Sequence, residues 1–456
     1  MEAVSKNDVV TLSVTDISAE GQGVAKFGGL VVFAPFTAPG EVVEALILKV
    51  NKNHAFAKVL KIIKPSPERA EAGCPVYGKC GGCAFRHMSY DAELRAKLNI
   101  AASALKRIGG TDIKPCGIIP STLISGYRNK AVLPFGGECG DVRLGFYAGR
   151  SHRLVPAEYC DLCPDIFASI QRKALGFLNA RRIPAYGEET GKGILRHLYL
   201  RRGERSGEIM VCFVINGECL KDGDELAAML AGEFPAVRGV LINTHTARGN
   251  ANLGSGWSVL YGRDYIMDNI CGLEMRISAG AFYQVNTSAA EELYGAAFDM
   301  ADLEENETVL DLFCGAGAIG LFFAKKRPDI NVTGVEIDGK AVADARENAK
   351  HNAVNNIRFV QADLDFSGND ISRLVSGFSA VIVDPPRKGL GNHTVSAIAA
   401  AHPRRIVYIS CDPATLSRDI SLLGKYGYTV IKSRAADLFP RTRHVEVIAV
   451  LKPADC

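Results

Sequence analysis

An α/β protein is predicted, with a doubly wound carboxyl-terminal sheet behind a small amino-terminal β-barrel and a β-rich central region. Three observations carry this. From residue 309 onward, β-branched apolar runs alternate with helical stretches, the order of a βαβ sheet. A glycine-rich turn, Asp311-Leu312-Phe313-Cys314-Gly315-Ala316-Gly317-Ala318-Ile319-Gly320, sits at the first strand-to-helix junction of that region. In the first 65 residues, short β-branched runs at 11–17, 30–36, 42–50 and 56–63 are separated by Gly21-Gln22-Gly23, Gly28-Gly29 and Pro39-Gly40, which are turn signals.

A chain of 456 residues is too long for one ordinary core, and three units are expected: 1–65, 66–280 and 281–456. Apolar residues make up 47% and charged residues 23%, a globular balance that excludes a disordered or low-complexity protein. No apolar run approaches the ~18 residues of a membrane span, and residues 1–8 hold no apolar leader core, so no membrane partner and a cytoplasmic location are expected. The net charge of +3 is close to balance, so a nucleic-acid ligand has to be held by local patches. Thirteen cysteines are many for a protein in a reducing compartment, which points some of them to metal binding or catalysis.

Within the first unit, Lys49, Lys52, Lys58, Lys61 and Lys64 fall in a stretch without an acid between Ala45 and Pro67. They form a face for a nucleic-acid backbone or, alternatively, a solvated guard on a strand edge. The second unit opens after Pro65-Ser66-Pro67 with Cys74-Pro75-Val76-Tyr77-Gly78-Lys79-Cys80-Gly81-Gly82-Cys83. Three thiolates on a glycine-rich loop can wrap one face of a metal centre. Cys160 and Cys163 offer a fourth ligand; a cubane iron-sulfur cluster is the sharper reading and a four-cysteine zinc site the alternative. The stretch 91–108 has helical periodicity with Gly109-Gly110 as its stop. Beyond it, Tyr127-Arg128-Asn129-Lys130 and Leu195-Arg196-His197-Leu198-Tyr199-Leu200-Arg201-Arg202 interleave bases with aromatics, a pattern able to neutralise phosphates and stack on nucleobases. A helix over 289–300 leads into the third unit.

In the third unit, strands are expected at 309–313, 332–336, 357–360, 380–384, 406–410, 429–433 and 445–451, with helices at 318–326, 340–352, 395–401 and 413–423. Gly315, Gly317 and Gly320 also satisfy a dinucleotide fingerprint, which keeps a nicotinamide-dependent oxidoreductase open. Asp311 inside the strand end, Glu336 closing the second strand and Asp363 after the third match instead the layout that binds S-adenosylmethionine, with a carboxylate for the ribose hydroxyls; helix capping is the bland role for these acids. Asp384-Pro385-Pro386-Arg387 follows the fourth strand and resembles the Asx-Pro-Pro-aromatic loop of amino methyltransferases, with Arg387 where those enzymes stack the target base. Cys411, in Ser410-Cys411-Asp412-Pro413, stands at the carboxyl edge of a strand, where open α/β sheets place their chemistry.

Together, Phe282-Tyr283-Gln284-Val285-Asn286, the 311–320 loop, Asp384-Pro-Pro-Arg-Lys-Gly389, Ser410-Cys-Asp-Pro413 and Thr442-Arg-His-Val-Glu446 make the chain similar to the TrmA/RlmD family of RNA uracil-5 methyltransferases. Gly21-x-Gly23-Val24-Ala25 and Pro39-Gly40-Glu41 likewise resemble the TRAM module. The resemblance covers nearly the whole chain. It implies an OB-like TRAM barrel, an iron-sulfur central domain and a Rossmann-like methyltransferase sheet. It further implies Cys411 as nucleophile, Glu446 as base, and Gln284, Phe313, Glu336, Asp363 and Asp384 around S-adenosylmethionine. A 4Fe-4S cluster on Cys74, Cys80, Cys83 and Cys160 follows from the cluster-bearing branch, whose distant cysteine precedes a proline by a few residues, as Cys160 precedes Pro164. That branch favours ribosomal over transfer RNA, and a monomer is expected. Asp412 departs from the asparagine of many members. The chemistry agrees: thiolate addition to C6 makes C5 of uracil nucleophilic, and a carboxylate must then remove the C5 proton. A non-catalytic iron-sulfur RNA-binding protein would leave Cys411 and Glu446 idle.

Overall fold

The computed structural model describes residues 4–249, 251–364 and 369–454, so the amino-terminal reading of residues 1–8 falls partly outside the described residues. Strands β1 (Val9–Ile17), β2 (Gly23–Phe27), β3 (Leu30–Ala34), β4 (Val42–Val50) and β5 (His54–Lys64) form a closed barrel in the order β1-β2-β3-β5-β4. Along β1, buried Val10, Leu12 and Val14 alternate with exposed neighbours, the period-two pattern that fills a small barrel. The apolar runs named four strands; β2 is the fifth. It was hidden by Gly23, which is needed because a Cβ there would stand 2.0 Å from Thr37 Oγ1. All five lysines of the acid-free stretch are exposed.

Helix α1 (Tyr90–Arg107) is capped by Ser89, whose hydroxyl accepts from the Ala92 N–H. After the short β6 (Ile118–Ile119), the central sheet is built from β7 (Lys130–Glu138), β8 (Asp141–Tyr147), β9 (Leu154–Pro156), β10 (Leu195–Arg202), β11 (Ile209–Ile215), β12 (Val237–Thr244) and β13 (Gly256–Gly262), with α2 (Asp165–Ala180) and α3 (Gly223–Glu233) between them. Its order is β13-β12-β11-β10-β7-β8-β9. Both faces are covered, which explains why β10 and β11 read as near-continuous apolar runs. Leu198, Leu200, Val211 and Phe213 pack with Phe167 and Ile170 of α2 and Leu226 and Leu230 of α3. Tyr199, Met210, Cys212 and Val214 pack instead toward the hairpin of β14 (Tyr265–Ile270) and β15 (Leu273–Ser278) and toward α4 (Thr287–Ala301).

The carboxyl-terminal sheet comprises β16 (Thr308–Leu312), β17 (Asn331–Glu336), β18 (Ile357–Gln361), β19 (Ala380–Val383), β20 (Arg405–Ser410), β21 (Tyr428–Ala436) and β22 (Glu446–Pro453). The helices α5 (Ala318–Lys326), α6 (Gly339–His351), α7 (Asn369–Val375), α8 (Asn392–Ala400) and α9 (Pro413–Gly424) connect them. The order is β18-β17-β16-β19-β20-β22-β21-β6. Strands β16 to β20 are parallel, whereas β22 returns antiparallel between β20 and β21. Two-residue β6 extends the edge beside β21; its pairing is entirely long-range, and nothing in a two-residue apolar step announces it. No helix among the described residues is long and apolar enough to cross a membrane.

A buried charge network joins α1 to the carboxyl-terminal sheet. Lys97, fully buried on α1, donates to Asp437 at 2.7 Å and to the Phe439 carbonyl at 3.0 Å, and pairs with Glu93 at 2.8 Å. Glu93 accepts in turn from the Arg441 backbone N–H at 2.6 Å and from its guanidinium at 3.3 Å. Two cations thus meet two carboxylates out of water, and deleting one member would cost about 3 to 5 kcal/mol by leaving a charge uncompensated. The Ala84 and Phe85 N–H groups, just past the cysteine loop, donate to the Arg441 carbonyl at 2.8 and 3.0 Å. The connection between β21 and β22 is therefore clamped from outside its own sheet.

Candidate active site

The first strand-to-helix turn folds back sharply. Phe313, Gly315 and Gly317 all take left-handed backbone, with φ of 64°, 54° and 86°. At Gly317 a Cβ would also meet the Phe359 ring at 2.7 Å, so only glycine fits. Glu336, ending β17, accepts from the Gly315 N–H at 3.1 Å and from the Ile337 and Asp338 N–H groups at 2.8 and 2.9 Å. Three backbone donors fix its carboxylate at the rim of the turn, facing a cavity of about 670 Å³. Asp311 does not line that cavity. It is fully buried, accepts from the Gly320 N–H at 2.9 Å and is pushed up to about 8 by burial, so its role is to hold the start of α5 in place.

Gln284, Phe313, Glu336, Asp363, Asp384, Cys411 and Glu446 all line this one cavity, although the chain brings them from seven separate segments. Cys411 follows β20 directly. Asp412 caps α9, its side chain accepting from the Ala414 and Thr415 N–H groups at 2.9 and 3.1 Å, with Pro413 in the first turn. An aspartate thus does what the asparagine of other members can do. Glu446 begins β22, and the antiparallel return places it beside the end of β20, because Val447 pairs with Ser410.

Electrostatics in the cavity run against charge. Burial pushes Asp384 up to about 7, and burial together with Asp384 drives Glu446, 3% exposed, well above the carboxylate range. The Cys411 thiol is pushed up to about 12 by burial and by Glu446, with the Arg387 guanidinium opposing. Arg387 also faces His444 Nε2 at 3.2 Å. Its loop is tied down through Asp419, which accepts from the Leu390 N–H at 2.8 Å and from the Tyr408 hydroxyl at 2.7 Å. Arg128, Lys130, Tyr294 and Phe439 line the cavity as well. The first two stood out as part of a basic-aromatic run without being assigned to the site. Tyr294, inside an alanine-rich helix, and Phe439, in a connection, carried no signal.

At the cysteine loop, Cys80 lies within electrostatic reach of Cys74 and Cys160, and Cys83 within reach of Cys80 and Cys160. The Gly82 N–H donates to Cys80 Sγ at 3.4 Å. Arg86 faces Cys83 and Cys74 and is held by Asp161 at 2.6 Å. Cys163 is 7% exposed and belongs to the core cluster of Phe167, whereas Cys160 is half-buried at the edge of that core and within electrostatic reach of Cys80 and Cys83. A hydrogen bond from the Cys163 thiol lowers the Cys160 thiol below its ordinary value. Among the described residues no three His, Cys, Asp or Glu side chains converge on the position of a single ion.

The geometry agrees with what the chain is similar to. The tRNA (Uracil-5-)-methyltransferase family model matches residues 255–453 and the TRAM domain model residues 4–60. An uncharacterized RNA methyltransferase of Halalkalibacterium halodurans is 38% identical over 98% of each chain, and one of Clostridium acetobutylicum is 37% identical over 99% of this chain and 98% of that one. Among solved structures, the Pyrococcus abyssi tRNA (uracil-54, C5)-methyltransferase in complex with S-adenosyl-L-homocysteine superposes with a TM-score of 0.76 at 26% identity, covering 97% of this chain and 99% of that one. With full-length relatives of this kind and the cavity they imply, the chain belongs to the TrmA/RlmD family of RNA uracil-5 methyltransferases, enzymes dependent on S-adenosylmethionine.

Proposed function

We propose that this enzyme methylates C5 of a uridine in ribosomal RNA, most simply 23S, through a covalent bond between Cys411 and C6 of the base. The observation that carries the reading is the meeting of Cys411 and Glu446 on adjacent strands, in one cavity with five residues expected at the cofactor. Cys411 Sγ attacks C6, and the C5=C6 electrons shift toward C5 and O4. Bound S-adenosylmethionine would supply the electrophilic methyl group to C5, its S–CH3 bond breaking as S-adenosylhomocysteine leaves. Glu446 then removes the proton left on C5, the double bond reforms and the thiolate leaves. Arg387 offsets part of the cost of forming the thiolate beside two carboxyl groups. The target base has to leave its stack to reach so enclosed a site.

Transfer RNA is the second reading, favoured by the superposition on a tRNA (uracil-54, C5)-methyltransferase. Mapping 5-methyluridine in 23S RNA and tRNA from a deletion strain, with and without complementation, separates the two: loss and recovery confined to tRNA would sink the ribosomal reading. We take residues 1–65 and 66–280 to hold the RNA, residues 281–456 to carry the chemistry, and the protein to act as a cytoplasmic monomer.

Cys74, Cys80, Cys83 and Cys160 fit a 4Fe-4S cluster. A zinc ion on the same four thiolates is the alternative, since zinc takes four cysteines tetrahedrally whereas a cubane carries each thiolate on a separate corner. When bound, the cluster would anchor the loop that clamps Arg441. Protein purified without oxygen is expected to be brown and to contain iron and sulfide. Cys160→Ser should bleach it and Cys163→Ser should not; stoichiometric zinc in protein never exposed to oxygen would defeat the assignment.

Glu336→Ala should weaken S-adenosylmethionine binding by about tenfold or more, the loss of a charge-assisted hydrogen bond worth ~1.5 to 3 kcal/mol, while RNA binding persists. Calorimetry on the folded variant checks this, and unchanged cofactor affinity would remove Glu336 from the ribose.

A further inference from the structure

We propose that Arg128 and Lys130, backed by the buried Arg201, form a binding site for one backbone phosphodiester of the RNA, beside the uridine that enters the cavity. The proposal rests on the uridine-methylation reading above and adds the group that anchors the substrate.

Arg201 is 1% exposed. Its Nη1 donates to the Ser278 and Ala281 carbonyls at 3.3 and 2.8 Å, but Nε and Nη2, also buried, have no partner among the described residues. Directly opposite on the neighbouring strand stands Lys130, since β10 and β7 pair Arg201 with Lys130. Residues opposite each other in an antiparallel pair project to the same face, and like charges there repel. Alternation shows which face: Tyr199 and Val132, two residues along their strands, pack toward the catalytic unit, whereas Leu200 and Ala131 pack toward α2 and α3. Lys130 and Arg128 accordingly line the active cavity. None of the three cations forms an ion pair with a carboxylate among the described residues. Burial and the two arginines push Lys130 down to about 8, a cost with no intramolecular return.

Two cations that line the cavity, backed by a third, the buried Arg201 guanidinium, which does not line it, make a site for an anion. The reaction offers two: a phosphodiester of the RNA and the carboxylate of the cofactor. Position favours the RNA. Glu336, Asp363 and Phe313 extend from the carboxyl edge of the catalytic sheet, while Lys130 begins β7 of the central sheet and Arg128 lies just before it. The Ala281 carbonyl held by Arg201 also immediately precedes Phe282, 62% exposed at the cavity wall, where a nucleotide must pass.

The test uses the full-length enzyme and a labelled RNA fragment containing the mapped uridine, titrated over a salt series. Lys130→Gln should weaken RNA binding about tenfold and reduce the slope of log affinity against log salt by about one, as expected for one lost phosphate contact. Arg201→Lys, which keeps the charge and loses the fork, should weaken binding by less. A methylphosphonate scanned through the linkages around the uridine should reproduce the loss at one position, and there the Lys130→Gln effect should vanish. Cofactor affinity should stay unchanged. Unaltered RNA affinity and salt slope in folded Lys130→Gln overturn the proposal, as does a loss confined to cofactor binding, which would assign the anion to the cofactor carboxylate. If the wild-type enzyme makes no 5-methyluridine in that RNA, the underlying reading falls and this one with it; if it does and Lys130→Gln matches it throughout, only the phosphate site falls.

Discussion

Replacing Cys411 with alanine will abolish 5-methyluridine formation, by at least ~10⁴-fold, and leave no covalent enzyme-RNA species on a denaturing gel. Among the described residues that line the cavity, Cys314 is the other thiol. Cys314 lies on the cofactor turn, where its thiol is buried, driven well above its ordinary value and directed to the Gly315 carbonyl. Cys411→Ala removes a small, half-buried side chain between a strand end and a helix capped by Asp412, so the fold and the cofactor turn should survive, which calorimetry with S-adenosylmethionine checks. Nucleoside analysis of the product RNA by mass spectrometry reads the activity. Residual 5-methyluridine from the pure variant would end the covalent mechanism.

Much of this site was legible because local chemistry marks it. The glycine spacing of 315–320, the acid closing 332–336 and a cysteine followed by Asp-Pro each fix a backbone feature that only a few residue types allow, and each lies where the turn or cap requires it. What connects them was not legible. Glu446 reaches Cys411 only because β22 inserts antiparallel between β20 and β21, a choice made by the packing of a whole sheet. The same applies to Glu93 and Lys97: the periodicity of 91–108 marks a helix, yet the partners that bury both charges, Asp437 and Arg441, come from the far end of the chain. The basic residues of β7 and β10 read as a run able to meet phosphates, but only the pairing of the two strands shows Lys130 directly opposite Arg201. Periodicity reports which face of an element is covered, and is silent on the partner that covers it.

Glu446→Gln should stop the reaction later than Cys411→Ala does, and with the RNA attached. The carboxyl is 3% exposed and raised well above its ordinary range by burial and Asp384, and a glutamine of the same shape fills its place without an unpaired charge. The raised value also suits a proton acceptor for a carbon acid, because a carboxylate at its ordinary value would be too weak a base. With the amide in place, thiolate addition and methyl transfer remain available, but the C5 proton has no acceptor and the thiolate cannot be expelled. Methylated RNA should therefore accumulate on Cys411, seen as a slow band on a denaturing gel and as a methylated uridine adduct by mass spectrometry. Asp384, the cavity carboxyl that acts on Glu446 and Cys411, is the competing base. Asp384→Asn should weaken catalysis without trapping this adduct; if it traps the adduct and folded Glu446→Gln turns over normally, the proton goes to Asp384. A structural Glu446 would give a third outcome, an unfolded or merely slow enzyme with free RNA, so the adduct on Cys411 distinguishes loss of the base from loss of the fold.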